Sequence, residues 1–221
     1  MISTQLQKRI LTSIILFSLL ILMYFYSYIL IISLIITSLI GWIEFYFLIS
    51  KIFSKNSVKH RFFRFFYKSC SLLYFSFFTF FILIIESKNP SLKIFIIYSL
   101  LISIVSDIGG LLFGRIFKGK KLTKISPKKT ISGSIGSFLC SLLLIPIFIQ
   151  YLNDHDIISL ITITLIISLT SQIGDLFISL LKRKANVKDT SDLLPGHGGL
   201  LDRIDGIIFA IPIGFLLLFF F

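Results

Sequence analysis

The stretch IISLITITLIISLTSQIGDLFISLL, residues 157–181, decides the fold class of this chain. Its apolar residues form a continuous run rather than alternating with polar ones, and Asp175 is its only charged residue. About 20 predominantly apolar residues allow a helix to cross the hydrocarbon core of a bilayer, where a helix satisfies its own backbone hydrogen bonds. The stretch is therefore predicted to be a transmembrane helix.

The composition of the whole chain points the same way. Hydrophobic residues make up 56% of the 221 residues and charged residues only 14%, whereas a typical soluble domain is about 25% charged. A mean hydropathy of +0.97 excludes an ordinary soluble domain and a disordered chain. We predict an all-α, polytopic helical membrane protein with about seven transmembrane helices. The further candidate spans are residues 10–26, 28–50, 69–85, 91–114, 133–151 and 205–221.

The basic residues predict the orientation of these spans. The formal net charge is +12, and all but two of the 22 Lys and Arg residues, Lys88 and Lys93, fall on one side of a seven-span arrangement. Cytoplasmic loops of membrane proteins carry the excess of Lys and Arg, so the N-terminus is predicted to be cytoplasmic. The same charge suits anionic lipids or phosphate ligands, and nucleic acid is not an expected partner.

Polar and charged residues are densest in SLLKRKANVKDTSDLLPGHGGLLDRID, residues 179–205. The helix before this segment carries four polar residues at i, i+4, i+7 and i+8, which therefore share one face. They are Asp175, Ser179, Lys182 and Arg183. Glycines on both sides of His197 permit tight turns and a close approach of backbone amides to a ligand. Asp202 and Asp205 follow at i and i+3, so both carboxylates can face one cation.

Paired carboxylates without a cysteine cluster suit magnesium, which is bound through one or two carboxylates together with substrate phosphates. The Lys and Arg residues nearby would bind the remaining phosphate oxygens. This set of groups is typical of phosphoryl or nucleotidyl transfer, in which catalysis is mainly positioning and charge neutralisation. A merely basic cytoplasmic loop would explain the Lys and Arg residues, but not HGG followed by DRxD.

A second basic segment, GRIFKGKKLTKISPKKTISGSIG, covers residues 114–136. Ser126-Pro127 indicates a turn. Thr130 or Ser132 is placed to cap the helix that follows, and the N-terminal amides of a helix can bind phosphate. A basic loop that only faces anionic lipids is the alternative interpretation of this segment.

At these two segments the sequence resembles the phosphatidate cytidylyltransferase, or CDP-diacylglycerol synthase, family. The family signature has a Ser, a Lys-Arg pair, a Lys-Asp pair, HGG and DRxD at fixed spacing. The matching residues are Ser179, Lys182, Arg183, Lys188, Asp189, His197, Gly198, Gly199, Asp202, Arg203 and Asp205. The QIGDLFIS and SPKKT segments also resemble the family, and GWIEFYFL around Glu44 is a weaker similarity. Ser132 departs from the pattern, because the family usually has Glu there.

The resemblance implies a reaction in which CTP and phosphatidate give CDP-diacylglycerol and pyrophosphate, with Mg²⁺ as cofactor. It implies metal ligation by Asp175, Asp202 and Asp205. The catalytic candidates are Asp175, Lys182, Arg183, Lys188, Asp189, His197, Asp202, Arg203 and Asp205. The substrate-binding candidates are Lys128, Lys129, Thr130, Ser179, Gly198 and Gly199. A phosphatidate phosphate is already mostly deprotonated near neutral pH, so His197 is expected to position a phosphate or shape the loop rather than act as a base.

The predicted active site lies at the cytoplasmic interface of a bacterial inner membrane, where CTP arrives from the cytosol and phosphatidate from the lipid bilayer. We divide the chain into N-terminal transmembrane helices, 1–90, and a C-terminal catalytic transmembrane region, 91–221, within one integral membrane unit. A homodimer remains open. Two alternatives also remain open: a CTP-dependent transferase with another lipid acceptor, and an ion-coupled transporter that uses Asp107 and Asp175. We see no paired half-repeats of the kind common in transporters.

Overall fold

The computed structural model describes residues 4–55, 57–88, 90–152 and 155–221. Helices account for the regular structure of these residues. They are α1 Thr4–Phe25, α2 Ser27–Ile52, α3 Val58–Lys88, α4 Lys93–Phe117, α5 Ile131–Leu142, α6 Ile145–Phe148, α7 Ile157–Lys184, α8 Leu201–Ile204 and α9 Ile207–Phe220, with a 3₁₀ turn at Pro90–Leu92. Within the described residues, the only β pairing is two isolated bridges, Lys121 with Thr130 and Leu194 with Gly198.

Six helical segments of the described chain are long and apolar enough to cross a membrane, judged by length and composition. They are Ser27–Ile52, Val58–Ser87, Lys93–Phe117, Ile131–Phe148, Ile157–Lys184 and Leu201–Phe220, and Ile10–Phe25 is a shorter apolar helix. The regular structure described is therefore helical, as in a polytopic membrane protein with six candidate spans and one shorter apolar helix, in agreement with the predicted fold class of about seven transmembrane helices. The orientation of these helices stays a prediction.

The predicted spans 10–26 and 28–50 leave one residue between them, and the structure joins the first two helices as closely. The helix α1 ends at Phe25 and α2 begins at Ser27, so Tyr26 is the only residue between them. Tyr26 has an extended backbone, with φ −123° and ψ 105°. One extended residue is enough to separate the two helices in this aromatic segment.

Two predicted spans differ most from the observed helices. The helix α3 begins eleven residues before the predicted span 69–85, because its basic first turns are helical as well. Lys and Arg are good helix formers, and their long side chains can reach the interface from such turns. The predicted span 133–151 is broken after Leu142, and a short helix with Pro146 in its first turn follows. Proline has no N–H and clashes with the carbonyl four residues earlier, so it ends α5.

Contacts divide the chain into two compact units, Met1–Lys88 with Leu181–Arg203, and Asn89–Leu180 with Ile204–Phe221. In the first unit α2 packs along α3, and α1 contacts α2. Gly41 lets these helices approach closely, because a Cβ there would lie 2.8 Å from the Phe75 ring. The first unit also contains the segment 181–203, which carries most of the predicted signature. The division at residue 90 stays a prediction from sequence.

In the second unit α4 packs along α5 and α9. The core of this unit is built on fully buried residues such as Tyr98, Ile102 and Ile167. Buried hydroxyls join its helices, as between Ser103 and Ser171, whose Oγ atoms are 2.7 Å apart. Small residues and interhelical hydrogen bonds of this kind are the usual means by which membrane helices associate.

Candidate active site

The signature segment leaves α7 through a well-formed C-terminal cap. The Asn186 amide donates to the Arg183 carbonyl and the Val187 amide to the Lys182 carbonyl, at 3.1 and 3.0 Å. Asn186 has a φ of 55°. These two bonds with a left-handed residue between them form a Schellman motif, in which Asn is the usual alternative to Gly. The cap turns the chain sharply away from α7 and into the loop that follows.

The Asp202 carboxylate organises this loop. Lys182 Nζ donates to its Oδ1 at 2.6 Å. The Thr190 and Gly199 amides donate to its Oδ2 at 2.8 and 3.1 Å. The Lys182 and Asp202 side chains are only 12% and 5% exposed, so water screens their attraction little. The carboxylate thus joins the middle of the loop, at Thr190, to its end, at Gly199. Its Oδ1 keeps lone-pair capacity beyond the lysine.

Glu44 on α2 is a second carboxylate that holds the same loop. It is 3% exposed. Its Oε1 accepts from Ser191 Oγ at 2.5 Å and from the Leu200 amide at 3.0 Å. Its Oε2 accepts from Thr190 Oγ1 at 2.7 Å and from the Leu201 amide at 2.8 Å. Four donors compensate the burial of this charge, so Glu44 connects α2 to the middle and to the end of the loop.

The glycine-rich part of the loop forms the tight turn that the sequence predicts. The His197 amide donates to the Leu194 carbonyl at 2.9 Å, with Pro195 and Gly196 between them. Gly196 has a φ of 78°. Proline followed by a left-handed glycine is the sequence of a type II turn. The turn continues with Gly198, whose φ is 80°.

Gly199 lies where the end of the loop passes close to Thr190 and to the Glu44 carboxylate, and only glycine fits there. A Cβ at this position would lie 1.9 Å from Thr190 Oγ1 and 2.6 Å from Glu44 Oε2. The Gly199 amide, which we predict to face substrate, donates to Asp202. Its direct role here is therefore to hold the loop, and its contact with substrate stays a prediction.

The His197 ring faces two hydroxyl groups of α1. Its Nδ1 lies 2.5 Å from Thr12 Oγ1 and its Nε2 lies 3.4 Å from Ser13 Oγ. Its carbonyl accepts from Nε and Nη2 of Arg203 at 3.1 and 2.6 Å. These contacts agree with a positioning role for His197. They also show that two nitrogens of the Arg203 guanidinium hydrogen-bond to the loop itself.

In the second unit, the two segments around Asp175 and Lys129 come together. Lys129 Nζ forms an ion pair with Asp175 Oδ2. Ser179 Oγ donates to Asp175 Oδ1 at 3.3 Å, as their spacing on one helix face predicts. The SPKKT and QIGD segments, which were identified separately in the sequence, are thus neighbours in the fold.

The basic loop before α5 is ordered by backbone hydrogen bonds. The Leu122 amide donates to the Lys129 carbonyl at 2.8 Å, and the Lys129 amide closes a turn onto Ser126 at 3.0 Å. Thr130 Oγ1 accepts from the Gly133 amide at 3.1 Å, so Thr130 is the N-cap of α5. The predicted turn and cap are both confirmed. Ser132 Oγ accepts from the Gly119 amide at 3.3 Å.

The remaining candidates differ in exposure. Asp205 is buried, and its Oδ1 accepts from the Gly206 amide at 2.9 Å. Other candidates present exposed side chains, which leaves them accessible to a soluble ligand. These are Lys128, Arg183, Lys188 and Asp189.

The candidate metal ligands are all carboxylates. Asp175, Asp202 and Asp205 supply the oxygen ligands that magnesium, a hard cation, prefers, so the residue types fit it. Among the described residues, no group of three or more His, Cys, Asp and Glu side chains is arranged to hold a metal. Magnesium is commonly held by only one or two carboxylates together with substrate phosphates.

Glu44 is the residue whose role the sequence does not reveal. A carboxylate within an apolar helix is conspicuous in the sequence, because a buried carboxylate needs partners. Its partners Thr190 and Leu201 lie 146 and 157 residues away along the chain. No local pattern specifies a contact at that separation.

Comparison with known proteins gives a consistent result. A sequence model described as the Cytidylyltransferase family matches residues 1–221. A Staphylococcus aureus (strain COL) protein named phosphatidate cytidylyltransferase is 43% identical over 131 residues, which are 58% of this chain and 50% of that protein. A protein of the same name from Staphylococcus haemolyticus (strain JCSC1435) is 43% identical over 122 residues, 54% of this chain and 46% of that protein. The chain spans about half the length of these curated relatives.

Proposed function

Because the chain belongs to the cytidylyltransferase family, we propose that it is a CTP:phosphatidate cytidylyltransferase in a bacterial inner membrane. An oxygen of the phosphatidate phosphate attacks the α-phosphorus of CTP. The bond between the α-phosphorus and the bridging oxygen to the β-phosphate breaks, and pyrophosphate leaves with that oxygen. The products are CDP-diacylglycerol and pyrophosphate. The curated relatives carry the name of this activity, which supports the proposal.

The observation that carries the proposal is the folding of the signature loop around Asp202. Lys182 and two backbone amides hold the carboxylate in place. Arg183 and Lys188, in the same segment of the chain, are exposed. Cations at the end of α7 and in the loop that follows suit a triphosphate that approaches from water, because positioned charges stabilise developing negative charge without reorganisation.

Magnesium belongs to the proposal as the cofactor, with Asp175, Asp202 and Asp205 as the residues that would hold it. When bound, it would neutralise the triphosphate and the leaving pyrophosphate. Lys182 keeps the Asp202 carboxylate oriented. Lys129, paired with Asp175, lies beside the capped N-terminus of α5, where Lys128 is also accessible to phosphate oxygens. His197 positions the loop and transfers no proton. Nothing in the proposal requires a second copy of the chain.

The test is an assay of the purified full chain with CTP, phosphatidate and Mg²⁺, with both products measured. We expect CDP-diacylglycerol and pyrophosphate in equal amounts, and none after chelation of Mg²⁺. Asp202→Asn should lower turnover by about a hundredfold or more, comparable to the loss of one electrostatic stabiliser. Asp192→Asn is the matched control, because Asp192 is an exposed carboxylate of the same loop, and its turnover should be unchanged.

Two outcomes would overturn the proposal. A nucleotidylated product with a polyprenyl phosphate, and none with phosphatidate, would identify another lipid acceptor. Equal turnover of the Asp202→Asn variant and the unchanged protein would exclude Asp202 from the site.

A further inference from the structure

A groove between α2 and α3 lies within the first unit and uses none of the signature residues. It has a volume of about 400 Å³. It opens beside the first turns of α3. Its lining includes Trp42, Tyr46, Arg61, Arg64 and Lys68. The groove thus combines aromatic side chains of one helix with three cations of the other.

The three cations form one surface. Arg61, Arg64 and Lys68 lie at i, i+3 and i+7, which places them on one face of α3. Within the described part of the chain, no ion pair joins any of them to a carboxylate. Lys68 Nζ lies 3.3 Å from the centroid of the Tyr46 ring, so the aromatic side chain holds this ammonium at the groove. The two arginines, one exposed and one half-buried, are therefore accessible to an external anion.

A second, apolar groove continues from the first along the same two helices. Its volume is about 260 Å³, and it shares Trp42 and Leu72 with the cationic groove. It extends past Phe80 to Leu83. From Lys68 to Leu83 the helix rises by roughly 22 Å. One leaflet of the hydrocarbon core is about 15 Å thick, half of the usual thickness of about 30 Å. The two grooves together are therefore at least as long as one leaflet is thick.

We propose that the two grooves form one binding site for an anionic phospholipid. The lipid phosphate lies against Arg61 and Arg64, whose guanidinium groups match phosphate oxygens geometrically. One acyl chain follows the apolar groove past Leu72. The charge of the first groove and the length of the second together select an amphiphile, because free phosphate would use only the cationic end. By the predicted orientation, this lipid belongs to the inner leaflet.

The site is tested by native mass spectrometry of the detergent-purified full chain, titrated with phosphatidylglycerol or phosphatidylcholine of identical acyl chains. Phosphatidylglycerol is not the acceptor proposed above, so the measurement does not depend on turnover of CTP. We expect tighter binding of phosphatidylglycerol. The double substitution R61Q/R64Q should weaken it about thirtyfold, as expected for the loss of two cations that face an anionic lipid.

The matched control is K55Q/K59Q, which removes two exposed cations near the same helix end but outside the groove. This variant should bind phosphatidylglycerol as the unchanged protein does. Equal weakening by both double substitutions would mean a diffuse attraction to anionic lipid and would overturn the proposed site. Equal affinity of the unchanged protein for both lipids would overturn it as well.

A second pair of variants tests the apolar part without changing charge. Leu72→Trp narrows the groove where its two parts meet, whereas Leu73→Trp places the same side chain on an exposed position outside it. We expect weaker binding of phosphatidylglycerol only for Leu72→Trp, with circular dichroism reporting the same helix content in both variants. Unchanged binding by Leu72→Trp would exclude the acyl-chain groove.

Discussion

Replacement of Glu44 by Gln tests whether a buried carboxylate on α2 holds the signature loop. The substitution keeps the size of the side chain and changes only its charge and one of its two oxygens. In the structure each oxygen accepts one hydroxyl and one backbone amide. A hydroxyl can rotate to accept from the new NH₂ group, but a backbone N–H cannot. Either orientation of Gln therefore sets one amide, of Leu200 or of Leu201, against another donor.

The cost follows from these contacts. A buried amide without an acceptor costs about 1–3 kcal/mol, and the remaining hydrogen bonds lose the extra strength that a charged acceptor gives. Loss of the charge also removes its burial penalty, but the four donors that compensate this penalty stay in place. We expect the loop to be destabilised by about 2–3 kcal/mol. This corresponds to an opening equilibrium about 30-fold to 150-fold more favourable.

The assay is hydrogen–deuterium exchange of the backbone amides in residues 190–201. Exchange there should accelerate by the same factor in Glu44→Gln, while α4 and α9 exchange as before. In the cytidylyltransferase assay, turnover should fall more than apparent affinity for CTP, since the variant protein still folds but its loop is closed less often. Glu44→Asp should not restore turnover, because the shorter side chain cannot reach the amides of both Leu200 and Leu201.

Glu86→Gln is the control for the loss of a carboxylate from the first unit. Glu86 accepts a hydrogen bond from Ser27 Oγ at 2.8 Å in an exposed environment, so its loss should change stability by less than about 0.5 kcal/mol. Unchanged exchange of residues 190–201 in a folded Glu44→Gln variant would refute the reasoning.

The other predictions concern local stability and activity. Thr130→Ala should lower the free energy of unfolding by about 1 kcal/mol in thermal or denaturant melts, because α5 loses its N-cap, whereas Thr130→Ser should not; equal loss in both would contradict the cap. Gly199→Ala should destabilise the folded loop by about 1–3 kcal/mol through overpacking, and the loop amides should lose their protection from hydrogen exchange. A substitution with no effect on stability or exchange would be inconsistent with the close approach at Gly199. Lys129→Gln should lower the free energy of unfolding by up to about 1 kcal/mol in the same melts, because it breaks the partly exposed ion pair with Asp175. Lys128→Gln should lower it less, and a larger loss for Lys128→Gln than for Lys129→Gln would contradict the pairing.

The sequence predicts those features that depend on neighbouring residues. The continuous apolar runs specify helices, and the predicted spans 10–26 and 28–50 leave a single residue for the connection of α1 to α2. Thr130 is one of the two residues that the sequence offers as the cap of α5. The contact of Asp175 with Ser179 follows from their spacing on one helix. In each case the interacting groups lie within about one helical turn, so propensity and periodicity determine the outcome.

Features that depend on distant residues could not be predicted in this way. The four hydrogen bonds of Glu44 join α2 to a loop more than 140 residues later. The hydrogen bond from the Gly199 amide to Asp202 is such a feature, and the sequence does not predict it. Glycine signals only that a close approach is needed, and tertiary packing decides which group approaches. The break between α5 and α6 is not predicted, because the apolar run continues through Pro146.

The most direct test of the central claim follows the two ends of the CTP triphosphate. Purified protein is incubated with phosphatidate, Mg²⁺ and CTP labelled with ³²P in either the α- or the γ-phosphate. Nucleotidyl transfer predicts that the α label enters the chloroform-soluble lipid and the γ label is released entirely as pyrophosphate. Appearance of the γ label in the lipid, or of neither label, would contradict the assignment.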